Sequence, residues 1–268
     1  MTPLVTQALD PTLTGFSPAE LEQFRQQGYV IARRLAPSAL VAEMRRVTTR
    51  HLAERIEPLE LEAALGYPGA PPSRAAEGGD AIRRLRQAYD RAPAFRAWLG
   101  HEGLVARLRQ LLGSTVLMPR AHHNCVMTKH PRYSSDSLWH QDIRYWRYSR
   151  AELVTAWLAL GEEHAENGGL QLIPGSHRME FAADSFDDAL FFRSDLPRHQ
   201  RLLAAARAVH LQPGDVLFFH CRLLHAATRN YRQEPKYAAV FTFRHPEDRP
   251  IPGSRSASLP DVSVCEAE

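Results

Sequence analysis

The feature that most limits how this chain can fold is the punctuation of its second half. Short apolar runs are each cut off by Gly or Pro turns before they reach helical length. Residues 153–160 (Leu-Val-Thr-Ala-Trp-Leu-Ala-Leu) read as a buried strand, and Asn167-Gly168-Gly169 follows as a turn. Residues 170–173 make a short strand that ends at Pro174-Gly175-Ser176. Residues 209–212, the turn Pro213-Gly214-Asp215 and residues 216–220 read as a hairpin, and residues 236–244 as the last long strand. Many short strands between Gly and Pro turns point to an antiparallel sandwich or barrel. Residues 130–138 and 181–200 are long connections of the kind that cover sites.

The first half reads differently. Ser17-Pro18-Ala19-Glu20 is a capping box with Pro at the first helical position, and Gly28 ends the helix it starts. Val30 and Ile31 suggest a short strand. A second helix opens near Pro37-Ser38 with Leu40, Val41, Met44, Val47 and His51 at helical spacing. Residues 66–80 form a Gly/Pro/Ala-rich loop. Residues 81–112 return to helical patterning, with Leu85, Tyr89, Leu104, Leu108 and Leu111 as core positions. The expected organisation is one domain over 1–268: helical support over about 15–113, a barrel core over about 114–245, and a loose Pro- and Ser-containing tail over 246–268.

Composition excludes several classes. The chain of 268 residues is 44% hydrophobic and 24% charged, as expected of a globular protein. With 33 basic against 30 acidic residues the net charge is +3, and no basic run is interleaved with aromatics, so nucleic acid is not an expected partner. No apolar stretch approaches the roughly 20 residues of a membrane span. Met1-Thr2-Pro3-Leu4 lacks the start of a signal peptide, and the expected compartment is the cytoplasm. Cys125, Cys221 and Cys265 are odd in number and widely spaced, which supports neither a disulfide framework nor a cysteine zinc site. The 13 histidines turn attention to metal.

The strongest local signal is Trp139-His140-Gln141-Asp142. In an extended stretch His140 and Asp142 share a face and Gln141 points away. His225 is the best third ligand, being placed after the Pro-Gly-Asp turn and the apolar strand, and it is preferred to the nearby His220. Two histidines and a carboxylate on one side of an ion leave open positions, as suits Fe(II). His122-His123 is a tempting pair, but neighbours on a strand face opposite ways.

These motifs together resemble the phytanoyl-CoA dioxygenase (PhyH-like) family of Fe(II)- and 2-oxoglutarate-dependent oxygenases. The resemblance rests on His140-Gln141-Asp142-Ile143-Arg144-Tyr145 and Ala156-Trp157, then Glu166-Asn167-Gly168-Gly169-Leu170 and Ile173-Pro174-Gly175-Ser176-His177-Arg178. It continues through Gly214-Asp215, Phe218-Phe219-His220, Leu224-His225 and Asn230, covering about residues 115–244. It implies a mainly β fold with flanking helices: a double-stranded β-helix, or jelly-roll/cupin-like barrel, behind an N-terminal helical region.

It also implies metal ligands at His140, Asp142 and His225, with Fe(II), 2-oxoglutarate and O2 as reactants. The family usually holds the far carboxylate of the cosubstrate with Arg; this chain has Lys236 there, a point charge in place of a fork, with Arg232 as the alternative. Along 236–244, Lys236, Ala238, Val240, Thr242 and Arg244 share the face suited to a cavity. Tyr237, Ala239, Phe241 and Phe243 share the face suited to helices. Trp157, Cys125 and Arg84 match family positions around the cosubstrate. The implied reaction is hydroxylation of an unactivated C–H bond of a small molecule (acyl, amino-acid or natural-product type), with succinate and CO2 as coproducts. A carboxylate at 142 argues against halogenation, because halogenases resembling the family carry Ala or Gly there. Two rival readings keep the barrel: a cupin-like metalloprotein of non-oxygenase activity, and a non-catalytic small-molecule binder. Phe181, Phe186, Leu190, Phe191 and Phe192 fit either a substrate surface or a satellite core. The sequence specifies neither the substrate nor an oligomeric state.

Overall fold

The computed structural model describes residues 15–264, so Met1-Thr2-Pro3-Leu4 and Cys265 lie outside the described residues. The chain begins with helix α1 (Pro18–Gln27), capped as its sequence predicts. The Ser17 hydroxyl accepts from the Glu20 N–H at 3.3 Å and the Glu20 carboxylate accepts from the Ser17 N–H at 2.8 Å. Gly28, at φ +80°, closes the helix by donating its N–H to the Phe24 carbonyl. Strand β1 (Tyr29–Ala32), helix α2 (Ser38–Ala53) and strands β2 (Leu59–Leu61) and β3 (Ile82–Arg86) follow. Then come three helices, α3 (Ala88–Arg91), α4 (Pro93–Leu99) and α5 (Glu102–Leu112).

The β-rich half consists of β4 (Val116–Met118), β5 (Asn124–Lys129), β6 (Ser137–His140), β7 (Val154–Ala159) and β8 (Leu170–Leu172). After these come the short helix α6 (Gln200–Leu203), β9 (Arg207–Ala208), β10 (Val216–His220), β11 (His225–Ala227), β12 (Lys236–Phe243) and β13 (Val262–Val264). The strands pair antiparallel into a seven-stranded sheet, β1-β10-β7-β12-β5-β3-β2, and a four-stranded sheet, β6-β11-β8-β9. The pair β13-β4 stands apart. This is the expected jelly-roll arrangement with flanking helices, but among the described residues no ladder joins the two sheets into a closed barrel.

Away from the cavity end, the central strands of the large sheet are largely apolar on both faces because both are covered. Tyr237, Ala239, Phe241 and Phe243 of β12 pack with Met44, Phe95, Trp98, Leu104 and Leu108 of the helices. Ala238 and Val240 on the opposite face join Trp157, Leu172, Phe219 and Leu223 between the sheets. Burial on both sides explains why β7 and β12 lack the polar alternation of a solvated strand.

Three expectations change. Residues 82–86 form a strand, not a helix: Arg84 and Leu85 pair with Met127 and Val126, and ladder pairing outweighs the helical propensity of an Arg/Leu-rich segment. The supposed hairpin of 209–212 with 216–220 does not form. Its first arm instead bonds elsewhere, Val209 to Leu170 and Leu211 to Glu163, while β10 pairs with β1 and β7. The tail differs from the loose segment expected over 246–268, since 246–264 is tied to the body. Fully buried Asp248 accepts from the N–H groups of Arg150 and Glu152, Arg244 pairs with Asp261, and β13 pairs with β4.

Candidate metal centre and cavity

The β6–β11 ladder sets His140 directly opposite His225, so the two imidazoles leave the same face with ring centroids 4.2 Å apart. Strand β6 ends at His140, Gln141 stays extended, and a 3-10 turn over Asp142–Tyr145 follows. Alternation therefore carries Asp142 to the histidine side, while Gln141 points away and donates to the Arg222 carbonyl. The Nε2 atoms of His140 and His225 lie 3.9 and 3.7 Å from Asp142 Oδ1.

Two carbonyls fix the histidine tautomers. His140 Nδ1 lies 2.7 Å from the Leu138 oxygen and His225 Nδ1 lies 3.0 Å from the Leu223 oxygen. A carbonyl only accepts, so each Nδ1 carries a proton, which leaves Nε2 as the nitrogen that can offer a lone pair to the cluster. Burial holds the His140 imidazole well below its usual pKa, which keeps it neutral as a ligand must be. Burial pushes the Asp142 carboxyl up, and its Oδ2 has no hydrogen-bond partner. An orphaned buried carboxylate oxygen beside two imidazoles that turn Nε2 toward it fits a cation. One ligand atom from each of the three residues can be chosen so that all lie within 4.8 Å of one another.

The cluster opens into a cavity of about 330 Å3. Lys236, Trp157 and Arg84 line it together with His140, Asp142 and His225. Lys236 is buried, with Nζ 3.0 Å from Glu163 Oε2 and 4.8 Å above the Trp157 ring. The indole N–H of Trp157 donates to the other Glu163 oxygen at 2.9 Å. Arg84 Nε lies 3.3 Å from Glu60.

Other candidate residues fall elsewhere. Cys125 is buried between the sheets, where burial pushes its thiol up to about 11, and Met127 takes the wall position on that strand. Arg232 sits on the surface paired with Glu166. His220 pairs with Glu152 at 3.1 Å, away from the cluster. Phe181, Phe186 and Phe192 form a satellite core with Ile173 and Leu224. Phe191 instead stands edge-on to both His140 and Tyr67.

Sequence reasoning missed Lys129, Glu163, Arg83 and His123. The last lies on the cavity wall with Nε2 3.6 Å from Asp142 Oδ1. Two of these, His123 and Lys129, were within reach. His123, Cys125, Met127 and Lys129 have one parity on and just before β5, so the reasoning that singled out Cys125 extends to Lys129. Nothing local marks Glu163, whose partners lie on β7 and β12.

Residues 24–237 match the family described as phytanoyl-CoA dioxygenase (PhyH). An ectoine dioxygenase of Halomonas elongata is 26% identical over 252 residues, covering 87% of this chain and 71% of that protein. An ectoine dioxygenase of Streptomyces avermitilis is 26% identical over 193 residues, covering 63% of this chain and 62% of that protein. Among solved structures, EctD from S. alaskensis with 2-oxoglutarate and 5-hydroxyectoine superposes with a TM-score of 0.71 at 21% identity, covering 91% of this chain and 83% of that one. The epimerase SnoN from nogalamycin biosynthesis does so with a TM-score of 0.67 at 23% identity, covering 85% and 84%. These solved structures share the jelly-roll fold described above. The chain belongs to the phytanoyl-CoA dioxygenase family, and with it to the iron- and 2-oxoglutarate-dependent dioxygenases. No helix among the described residues is long and apolar enough to cross a membrane.

Proposed function

We propose that the protein hydroxylates an unactivated C–H bond of a small molecule at the His140/Asp142/His225 cluster. The observation that carries this reading is the convergence of three pre-oriented ligand atoms on one wall of a cavity with a lysine end. Iron(II) bound there with 2-oxoglutarate and dioxygen supplies the oxidation, and succinate and CO2 are the coproducts.

The chain's own residues do the rest. His140 and His225 present their Nε2 atoms, and the carboxylate of Asp142 brings negative charge to the third ligand position. The lysine end, with Lys236 over Trp157, attracts the far carboxylate of the cosubstrate. Phe191, Tyr67 and Tyr145 enclose the metal side: Phe191 stacks edge-on to Tyr67 at 5.1 Å, and the Tyr145 hydroxyl donates to the Ala189 carbonyl at 2.9 Å. This aromatic rim flanks the reacting centre on the metal side.

A cavity of about 330 Å3 that also holds the cosubstrate leaves room for a compact substrate or one end of a longer one. The proteins it resembles include ectoine dioxygenases, an epimerase and a carbocyclase, so the fold alone does not choose the substrate. The carboxylate at 142, where a halogenase would need an open position, supports hydroxylation.

The test is anaerobic addition of Fe(II) and then 2-oxoglutarate to metal-free protein, followed by the weak visible charge-transfer band of the chelate, and then succinate release in air. Asp142→Ala is expected to abolish the band and to cut succinate formation by roughly 100-fold or more, beyond the loss typical of residues that only support a ligand. Full activity in that variant would remove Asp142 from the site.

A further inference from the structure

Strands β5 and β12 place Lys129 directly across the ladder from Lys236, both inward and both on the cavity wall. Two buried ammonium groups side by side are costly unless each finds a counter-charge. Lys236 has one, Glu163 at 3.0 Å. The neighbouring cations are also matched: Arg83 has Glu62 at 3.4 Å, Arg84 has Glu60 at 3.3 Å, and Arg229 has Asp136 at 2.7 Å.

Lys129 is the exception. Its Nζ donates to the Ser135 carbonyl, and among the described residues no carboxylate stands within ion-pair distance of it. Its exposure is only 6%, so bulk solvent screens it little. Burial, with Arg83 and Lys236 nearby, holds its ammonium well below the usual lysine range. The stem of Lys129 is held in place by the turn after Glu166: a Cβ on Gly168 would fall 3.0 Å from Lys129 Cγ. The lysine end of the cavity therefore holds one amine without a counter-charge, which an arriving carboxylate would hold as ammonium, and it is on β5, not on β12.

We propose that Lys129 receives the far carboxylate of the 2-oxo acid, and that Lys236, already balanced by Glu163, serves as the floor beside it. The assignment rests on reading the cavity as a 2-oxoglutarate site. It makes Lys129 the residue that selects a dicarboxylic 2-oxo acid over a monocarboxylic one. A neutral lysine end would distinguish the two poorly.

The test compares binding of 2-oxoglutarate and pyruvate to Fe(II)-loaded protein by anaerobic calorimetry. Pyruvate chelates metal in the same way but lacks the far carboxylate. Lys129→Met is expected to weaken 2-oxoglutarate by roughly 30-fold or more, the scale of truncating one partner of a buried charge pair, and to leave pyruvate nearly unchanged. The double variant Lys129→Met/Glu163→Gln releases Lys236 from its partner and is expected to recover most of that loss. Glu163→Gln alone adds an unmatched cation and is expected to raise the preference for 2-oxoglutarate, a reading that stands even if Lys129→Met does not fold. Equal weakening of both acids by Lys129→Met, or no weakening of either, overturns the assignment while leaving the proposed function intact. Wild-type protein that holds Fe(II) but binds neither acid overturns the proposed function itself, and the assignment with it.

Discussion

Single atoms set the chemistry at the smallest scale. The carbonyls of Leu138 and Leu223 determine which imidazole nitrogens of His140 and His225 face the cluster, and a flipped ring would present a proton where a lone pair is needed. Gly168 has a comparable effect at the other end of the cavity. It sits at φ +84°, and a Cβ there would meet the Thr228 carbonyl at 2.9 Å as well as the Lys129 stem. Gly168→Ala is expected to cost about 1–2 kcal/mol from the left-handed backbone alone, measured by urea unfolding. It is also expected to weaken 2-oxoglutarate more than pyruvate by displacing Lys129. Of the residues around the cavity, His140, Asp142 and His225 were legible because motif and alternation both mark them. Lys236 and Trp157 were legible only through family resemblance. Glu163 was not legible, because a carboxylate in a loop after β7 is ordinary until two partners close on it.

The elements divide into those set by nearby sequence and those set by pairing. Helix α1 belongs to the first kind: its capping box, Pro at N1 and closing Gly28 all lie within or beside it. Ser17→Ala is expected to destabilise the protein by about 1 kcal/mol, read as a shift in the urea midpoint with an unchanged slope. Strand β3 belongs to the second kind. Ile-Arg-Arg-Leu-Arg has no alternation that singles out a strand, and its extended form comes from β5 on one side and β2 on the other. That pairing is also what sets Arg83 and Arg84 on the cavity wall. The arm 209–212 shows the converse. Its turn signal was correct, since Gly214 adopts φ +91°, but a turn does not choose which strand the chain pairs with afterwards.

At the scale of the whole molecule, the C-terminal segment closes one flank of the fold. Asp248 is fully buried and accepts from two backbone N–H groups at the entry to β7, 2.6 Å from Arg150 and 2.8 Å from Glu152. Ser256 accepts from the Arg147 N–H at 2.9 Å and bonds the His122 ring at 2.7 Å, fixing a side chain of the cavity wall. Asp248→Ala is expected to cost about 1–2 kcal/mol in urea unfolding, because it removes a buried carboxylate that accepts from two backbone N–H groups. The sequence by itself determined the strand-and-turn character of the second half, the faces of β12 and the identity of the three candidate ligands. Those depend on residues one or two positions apart, where alternation and turn chemistry act. Only the tertiary structure decided that the sheets stay open, that the tail is packed, and that Glu163 pairs with Lys236 while Lys129 has no carboxylate partner among the described residues. Those outcomes depend on groups distant in the chain, brought together by the fold in a medium too poor in water to screen them.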